Sequence, residues 1–272
     1  MGLFARNYNK PGPGVNKDEP RKKGIARFFE LWTREFGDLV KLNLLYSVCL
    51  IPSMVVFIFG FLFFYPSLAF LLSFCISLLL AYPIGGAITA CVYYITKMMR
   101  DDPSYVWYEF KRKFKENYKQ AAPVGMLCTS FVYAQILLWL SMVMDEMTGD
   151  LVWIIVGLVS LLLFGMLTPY IFMHFAYIDL KTFGILKNST LMAFGHLPRS
   201  FMGAVSGGIL WIVFALYFPM SMTIVPFILL FLITTSMLLT LMWVWKPFDK
   251  TFNIEETLVN RMKENNEKEQ KN

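Results

Sequence analysis

The sequence predicts an all-α, polytopic membrane protein with six transmembrane helices and interfacial amphipathic elbow helices. Three observations carry this. The chain is 57% hydrophobic and only 16% charged, where soluble domains carry about 25% charged residues. Its charges are confined to a few segments. The charge-free stretches between them have the lengths of membrane passes.

All 25 Lys and Arg and all 19 Asp and Glu fall within 1–41, 97–119, 145–150, 179–199 and 246–272. The charge-free stretches are 42–96, 120–144, 151–178 and 200–245. A spanning helix needs about 20 apolar residues, so the second and third stretches give one pass each. The first and last are long enough for two. Each is expected to turn where proline interrupts the helical ladder, at Tyr65-Pro66-Ser67 and at Phe218-Pro219-Met220-Ser221. The sign of the loops sets the orientation. Segments 1–41, 97–119 and 179–199 are net basic, whereas 145–150, "DEMTGD", has acids and no base. Basic loops stay inside, so both termini and the basic loops are expected in the cytoplasm of a multi-pass cell-membrane protein, with 145–150 outside.

The elements follow in order. Residues 1–24 read as a flexible cytoplasmic arm, because 7–24 are polar and rich in Pro and Gly. The first forty residues lack the apolar core of a cleavable signal peptide. A single six-helix domain is expected over 25–248. It opens on an amphipathic elbow in which Ile25, Phe28, Phe29, Trp32, Phe36, Leu39 and Val40 share one face. Arg27, Glu30, Arg34, Glu35 and Asp38 fill the other.

Spans one and two follow, and "AYPIGGAITA" at 81–90 falls in the second. Pro83 cannot donate a helical hydrogen bond, and Gly85 and Gly86 weaken the next turn. This is either a helix break at a solute site, as in transporters, or a kink that permits close packing.

A second elbow is expected from Asp102-Pro103, an N-cap followed by proline. Its apolar stripe is Val106, Trp107, Phe110, Phe114 and Tyr118. With Trp107, the basic residues Lys111, Arg112, Lys113, Lys115 and Lys119 form a membrane-surface site whose partner is a lipid bilayer with anionic headgroups. No nucleic acid is expected, since the stripe belongs to no reader motif.

The elbow sequences "EFGDLVKLN" (35–43) and "EFKRKFKEN" (109–117), with Lys187-Asn188 before span five, read as a weak repeat of three hairpins. "GAVSGG" at 203–208 is a small-residue packing motif, either within the monomer or between copies in a homo-oligomer. Residues 249–272 make a polar cytoplasmic tail.

Catalytic constellations are sparse. The two histidines, His174 and His196, lack carboxylate or Cys partners at ligand spacing, and Cys49, Cys75, Cys91 and Cys128 stand singly. No phosphate-binding glycine loop occurs. No catalytic residue, cofactor or metal ligand is assigned, and the chain is expected not to be an enzyme. The spans hold no ionisable Asp, Glu, Lys or Arg, which argues against ion-coupled transport. Gln135 is one of the few polar groups available to an uncharged solute.

Three blocks carry a family resemblance: residues 8–52, with "FFELWTREFGDLVKLN"; residues 82–121, with "YPIGGAITACVYY" and "YEFKRKFKENYK"; and "ILKNSTLMAFGHLPRSF" at 185–201. They resemble the YesL-like family of bacterial membrane proteins, a domain of unknown function. The stretch "FIFGFLFFYPSLAFLLSF" is longer than in many relatives. Such proteins are typically found beside carbohydrate importers and polysaccharide-degrading enzymes. The resemblance therefore implies a non-enzymatic accessory of carbohydrate uptake, with a carbohydrate ABC importer as partner. The alternative is a small carrier or channel for an uncharged solute such as a sugar.

Overall fold

The computed structural model describes residues 22–102, 104–144, 151–217, 231–258 and 260. The arm up to residue 21, the acidic loop 145–150, the expected turn at 218–221 and the tail from 261 lie outside these residues. Among the described residues the regular structure is entirely helical. The elements are α1 (Gly24–Arg34), α2 (Phe36–Phe64), α3 (Leu68–Leu80), α4 (Ile84–Met99) and α5 (Val106–Met144). They continue with α6 (Leu151–Tyr177), α7 (Thr182–Gly195), α8 (Leu197–Tyr217) and α9 (Ile233–Phe252).

Three of these helices, α2, α5 and α6, are long and apolar enough to cross a membrane. A fourth crossing arises if α3 and α4, bent by 43°, count as one span. The break falls at 81–83, where Pro83 stands just before α4. Separately, α3 with 13 residues and α4 with 16 fall short of a pass. In the last charge-free stretch, the described apolar part of α8 ends at Val213. α9 carries Lys246, Asp249 and Lys250 in its last turns. The expected turn at Tyr65-Pro66-Ser67 does separate α2 from α3, with Tyr65-Pro66 cis.

The elbows differ from expectation. α1 is a separate helix, but it stops at Arg34, because Glu35 leaves helical geometry (φ −104, ψ 17) and donates its N–H to the Leu31 carbonyl. Leu39 and Val40 therefore belong to α2. The second elbow is not separate. Residues 106–119 are the first turns of the 39-residue α5, which runs through Pro123. Nor does the helix begin at Asp102: Asp101 takes a left-handed conformation and Asp102 sits beside Lys97, so α5 starts at Val106.

Close approaches hold the hairpins together. Cβ atoms at Gly85 and Gly125 would overlap the backbone of the facing helix, at the Ala121 carbonyl and at Gly85 itself. A Cβ at Gly86 would press on Tyr118. Small residues at these positions let α4 and α5 pack backbone to backbone. α2 and α3 meet at Gly60 and Ser73. Ser53 Oγ donates to the Ser77 carbonyl at 2.7 Å and lies 2.7 Å from Tyr133 Oη, which ties α2, α3 and α5. Gly203 and Gly207 face Thr240 and Val244 of α9, so this small-residue motif packs within the chain; Gly208 meets open space.

The asparagines of the weak repeat do not share a role. Asn43 accepts the Thr234 N–H at the start of α9 (3.0 Å), whereas Asn117 donates to the Lys113 carbonyl of its own helix. The buried core gathers along α4 and the ends of α2, α6 and α9 next to it. The outer parts of α2, α3 and α6 instead expose Leu62, Phe63, Leu72, Leu79 and Val156, an apolar surface suited to lipid.

Candidate functional site

The densest gathering of polar side chains lies where α1 meets the turn between α4 and α5. Arg27 and Arg34 stand two helical turns apart, so both reach across one face of α1. Asp101 leaves α4 at φ 61, a left-handed conformation that Asp tolerates better than most residues. That turn brings its carboxylate back onto α1. Arg27 Nη2 donates to Asp101 Oδ2 at 2.6 Å and Arg34 Nη2 donates to Oδ1 at 2.6 Å. Arg27 is 8% exposed. It also pairs with Glu30 at 3.2 Å and donates to the Met99 carbonyl. Burial alone would raise the Asp101 carboxyl, but hydrogen bonds and charge from Arg34 and Arg27 outweigh it and hold the group below its ordinary range.

Beside this clamp lies a cavity of about 200 Å³ lined by Arg34, Glu35, Asp38, Tyr94, Asp101 and Asp102, with Met98 and Ser104. Each wall carboxylate has a partner. Asp38 accepts from Tyr94 Oη at 2.7 Å and from Lys41 at 2.8 Å; Glu35 pairs with Arg34, and Asp102 with Lys97 at 3.7 Å.

One turn away a second network begins. Glu109, 6% exposed, lies between Lys97 (2.7 Å) and Arg112 (2.5 Å), and Arg112 also donates to Tyr93 Oη at 3.0 Å. Arg100 stacks on Tyr177 and Trp245 at 5.6 and 5.5 Å, and Thr96 Oγ1 is 2.6 Å from Tyr177 Oη. These contacts gather the charged ends of α1, α4, α5 and α9, with the Tyr177 end of α6, into one end of the bundle.

The residues singled out from sequence fall into separate places. On α5, Trp107 is 64% exposed, and Lys111, Lys115 and Lys119 are exposed. Arg112 and Lys113 turn inward: Lys113 pairs with Glu116 at 2.8 Å and lies 4.8 Å from the Tyr93 ring. The apolar stripe does not stand apart from the bundle. Val106 and Phe110 are buried, and Phe114 and Tyr118 lie against Gly86. Pro83 stands at the break before α4, and Gly85 and Gly86, in the first turn of α4, pack on α5. Gln135 is elsewhere, where it donates to Ser160 Oγ of α6 at 2.8 Å while its Oε1 is buried without a hydrogen-bond partner.

Sequence reasoning missed Arg27, Arg34, Tyr94 and Asp101 as one unit. The available signal was a pair of acids, Asp101-Asp102, inside an otherwise basic loop, with arginines seven apart on the preceding amphipathic helix. His174 is buried, with Nδ1 2.8 Å from the Tyr170 carbonyl and 3.0 Å from Ser189 Oγ, and its ring edge-on to Phe248 and Phe252. Among the described residues, no group of three or more His, Cys, Asp or Glu could hold a metal ion. Chemically the charged end is a set of fastened ion pairs joining helices.

Residues 61–140, from late α2 to most of α5, match the profile of a family described as protein of unknown function, DUF624. The matched part is under a third of the chain. It includes the α3–α4 break and the Glu109 network, but not α1. No curated protein and no solved structure matches the chain.

Proposed function

We propose that this chain is a six-pass cell-membrane protein of the YesL-like type that acts without catalysis, as an accessory of bacterial carbohydrate uptake. Its termini and basic loops face the cytoplasm. One observation carries the reading: the charged segments around residues 27–41 and 97–119 meet through Arg27–Asp101, and Arg100 of the second stacks on Trp245, which borders segment 246–255 and donates to Glu255. For the chain to leave that end and return to it over 42–96, over 120–178 and over 200–245, it must cross an even number of times in each. Two crossings over 42–96, two over 120–178 and two over 200–245 meet that requirement. The basic balance of this end favours the cytoplasmic side.

An accessory needs a surface on the side where its partner's energy-supplying parts lie, and the charged end offers one. The spans lack charged groups with which to couple ion flow to transport, so the energy for uptake comes from the partner, a carbohydrate ABC importer. Deleting residues 7–20 is expected to leave the protein inserted while weakening its co-purification with the importer and slowing growth on the relevant glycan.

One observation favours a second reading, a small carrier for an uncharged sugar. The half-satisfied Gln135 on α5 leaves an acceptor unpaired within an apolar span, where a sugar hydroxyl could donate to it. Purified protein in liposomes decides between the two. The accessory moves no sugar alone. Sugar uptake by the protein alone, abolished by Gln135→Leu without unfolding, would establish the carrier.

A further inference from the structure

α5 is too long to be a membrane pass alone. Its charge-free part, 120–144, spans about 37 Å at 1.5 Å per residue, more than the roughly 30 Å hydrocarbon core. The turns from Val106 to Lys119 add about 21 Å at the charged end. Trp107, Lys111, Lys115 and Lys119 recur every four residues along this extension, so they make one row on the outer face. All four are exposed. Among the described residues Lys111, Lys115 and Lys119 form no ion pair, whereas their neighbours Arg112 and Lys113 are consumed by Glu109, Glu116 and Tyr93. The adjoining face of the same turns packs inward, with Phe114 and Tyr118 against Gly86 of α4 and Phe110 in the buried core.

The direction of this row decides its partner. A membrane surface is a plane, and a row that runs along a membrane-crossing helix leaves that plane. Only Lys119 and Lys115 stay near headgroup depth, while Lys111 and Trp107 stand further out by about 6 Å per step of four residues. We propose that the row docks an acidic amphipathic helix of a protein partner. Its carboxylates, spaced one turn apart, pair with the three lysines, and an apolar side chain packs on Trp107. Tryptophan is a frequent anchor in such interfaces, and a lysine row steers an acidic partner at low salt. This proposal rests on the reading of the charged end as the chain's contact face.

The test uses the full chain in neutral phosphatidylcholine nanodiscs. The probe is a labelled helical peptide with glutamates at i, i+4 and i+8, compared with a peptide of the same composition and scrambled spacing. Wild-type protein is expected to bind the first at least about tenfold more tightly. Lys111→Glu with Lys115→Glu should remove that preference, and Lys187→Glu on α7 should change binding by less than about twofold. A photo-crosslinker at position 107, with the lysines intact, should capture the peptide even if the double variant fails to fold. Equal binding of the two peptides overturns the proposal. So does capture of lipid by position 107 in phosphatidylglycerol nanodiscs, which would make the row a headgroup site. Either failure leaves the accessory reading standing, because that reading is decided by importer co-purification and liposome uptake.

Discussion

Asp101→Asn removes one negative charge from between two arginines and keeps a side chain that accepts the left-handed backbone. Both ion pairs it breaks are 2.6 Å long, but they differ in burial. Side-chain exposure is 38% for Arg34, 10% for Arg27 and 30% for Asp101. The Arg34 pair is therefore worth only the few tenths to about 1 kcal/mol of a solvent-facing pair. The Arg27 pair counts for more, since a buried guanidinium loses part of its compensation. Arg27 still keeps Glu30 and the Met99 carbonyl. The expected loss is about 1–2 kcal/mol in the docking of α1. Asp101→Ala adds about 1 kcal/mol, because alanine resists φ 61.

Hydrogen exchange of residues 24–34 reads this directly, since local opening sets the protection of a docked helix. The pH dependence has a fixed sign. The folded carboxyl titrates below its unfolded value, so its contribution is complete above the unfolded pKa of about 3.9 and fades as pH falls through the lower, folded pKa. α1 protection should therefore be flat from neutral pH down to about 5 and drop only in stronger acid. Unchanged protection in Asp101→Asn would refute the clamp, and so would loss of protection between pH 7 and 5.

Three further outcomes follow from the packing. Gly85→Leu drives a side chain into the Ala121 carbonyl, so thermal unfolding in detergent should show a loss of at least about 3 kcal/mol or no folded protein. Tyr133→Phe unties Ser53 but keeps the stacked ring against Phe57 at 4.0 Å, so the same assay should show a loss of about 0.5–1.5 kcal/mol. Gly207→Ile clashes with Thr240 of α9 whereas Gly208→Ile points into open space, so only the first should lower the melting temperature.

The helical character and the presence of helices long and apolar enough to cross a membrane were legible, because charge confinement is a property of sequence alone. So was the break at Pro83, since proline's missing N–H acts locally. The end of α1 was not legible: Phe36 and Leu39 continue the apolar period of Ile25 and Trp32, and nothing local marks Glu35 as the bend. The second elbow misled for a related reason. An amphipathic stripe looks the same whether it rests on lipid or on another helix, and here α4, thinned at Gly85 and Gly86, takes that place. The Asp101 clamp needed a left-handed turn and a partner about seventy residues away, neither of which periodicity records.

Under the proposed topology all the charged segments except 145–150 share one cytoplasmic face, and cysteine labelling in intact cells reads the side of each segment. Single cysteines are placed as Asn16→Cys, Ser104→Cys, Thr148→Cys, Lys187→Cys and Asn265→Cys, and exposed to a membrane-impermeant thiol reagent. Six crossings with a cytoplasmic charged end predict labelling of Thr148→Cys alone, with the others reacting only after the cells are opened. Labelling of Ser104→Cys or Lys187→Cys in intact cells would rule out this topology.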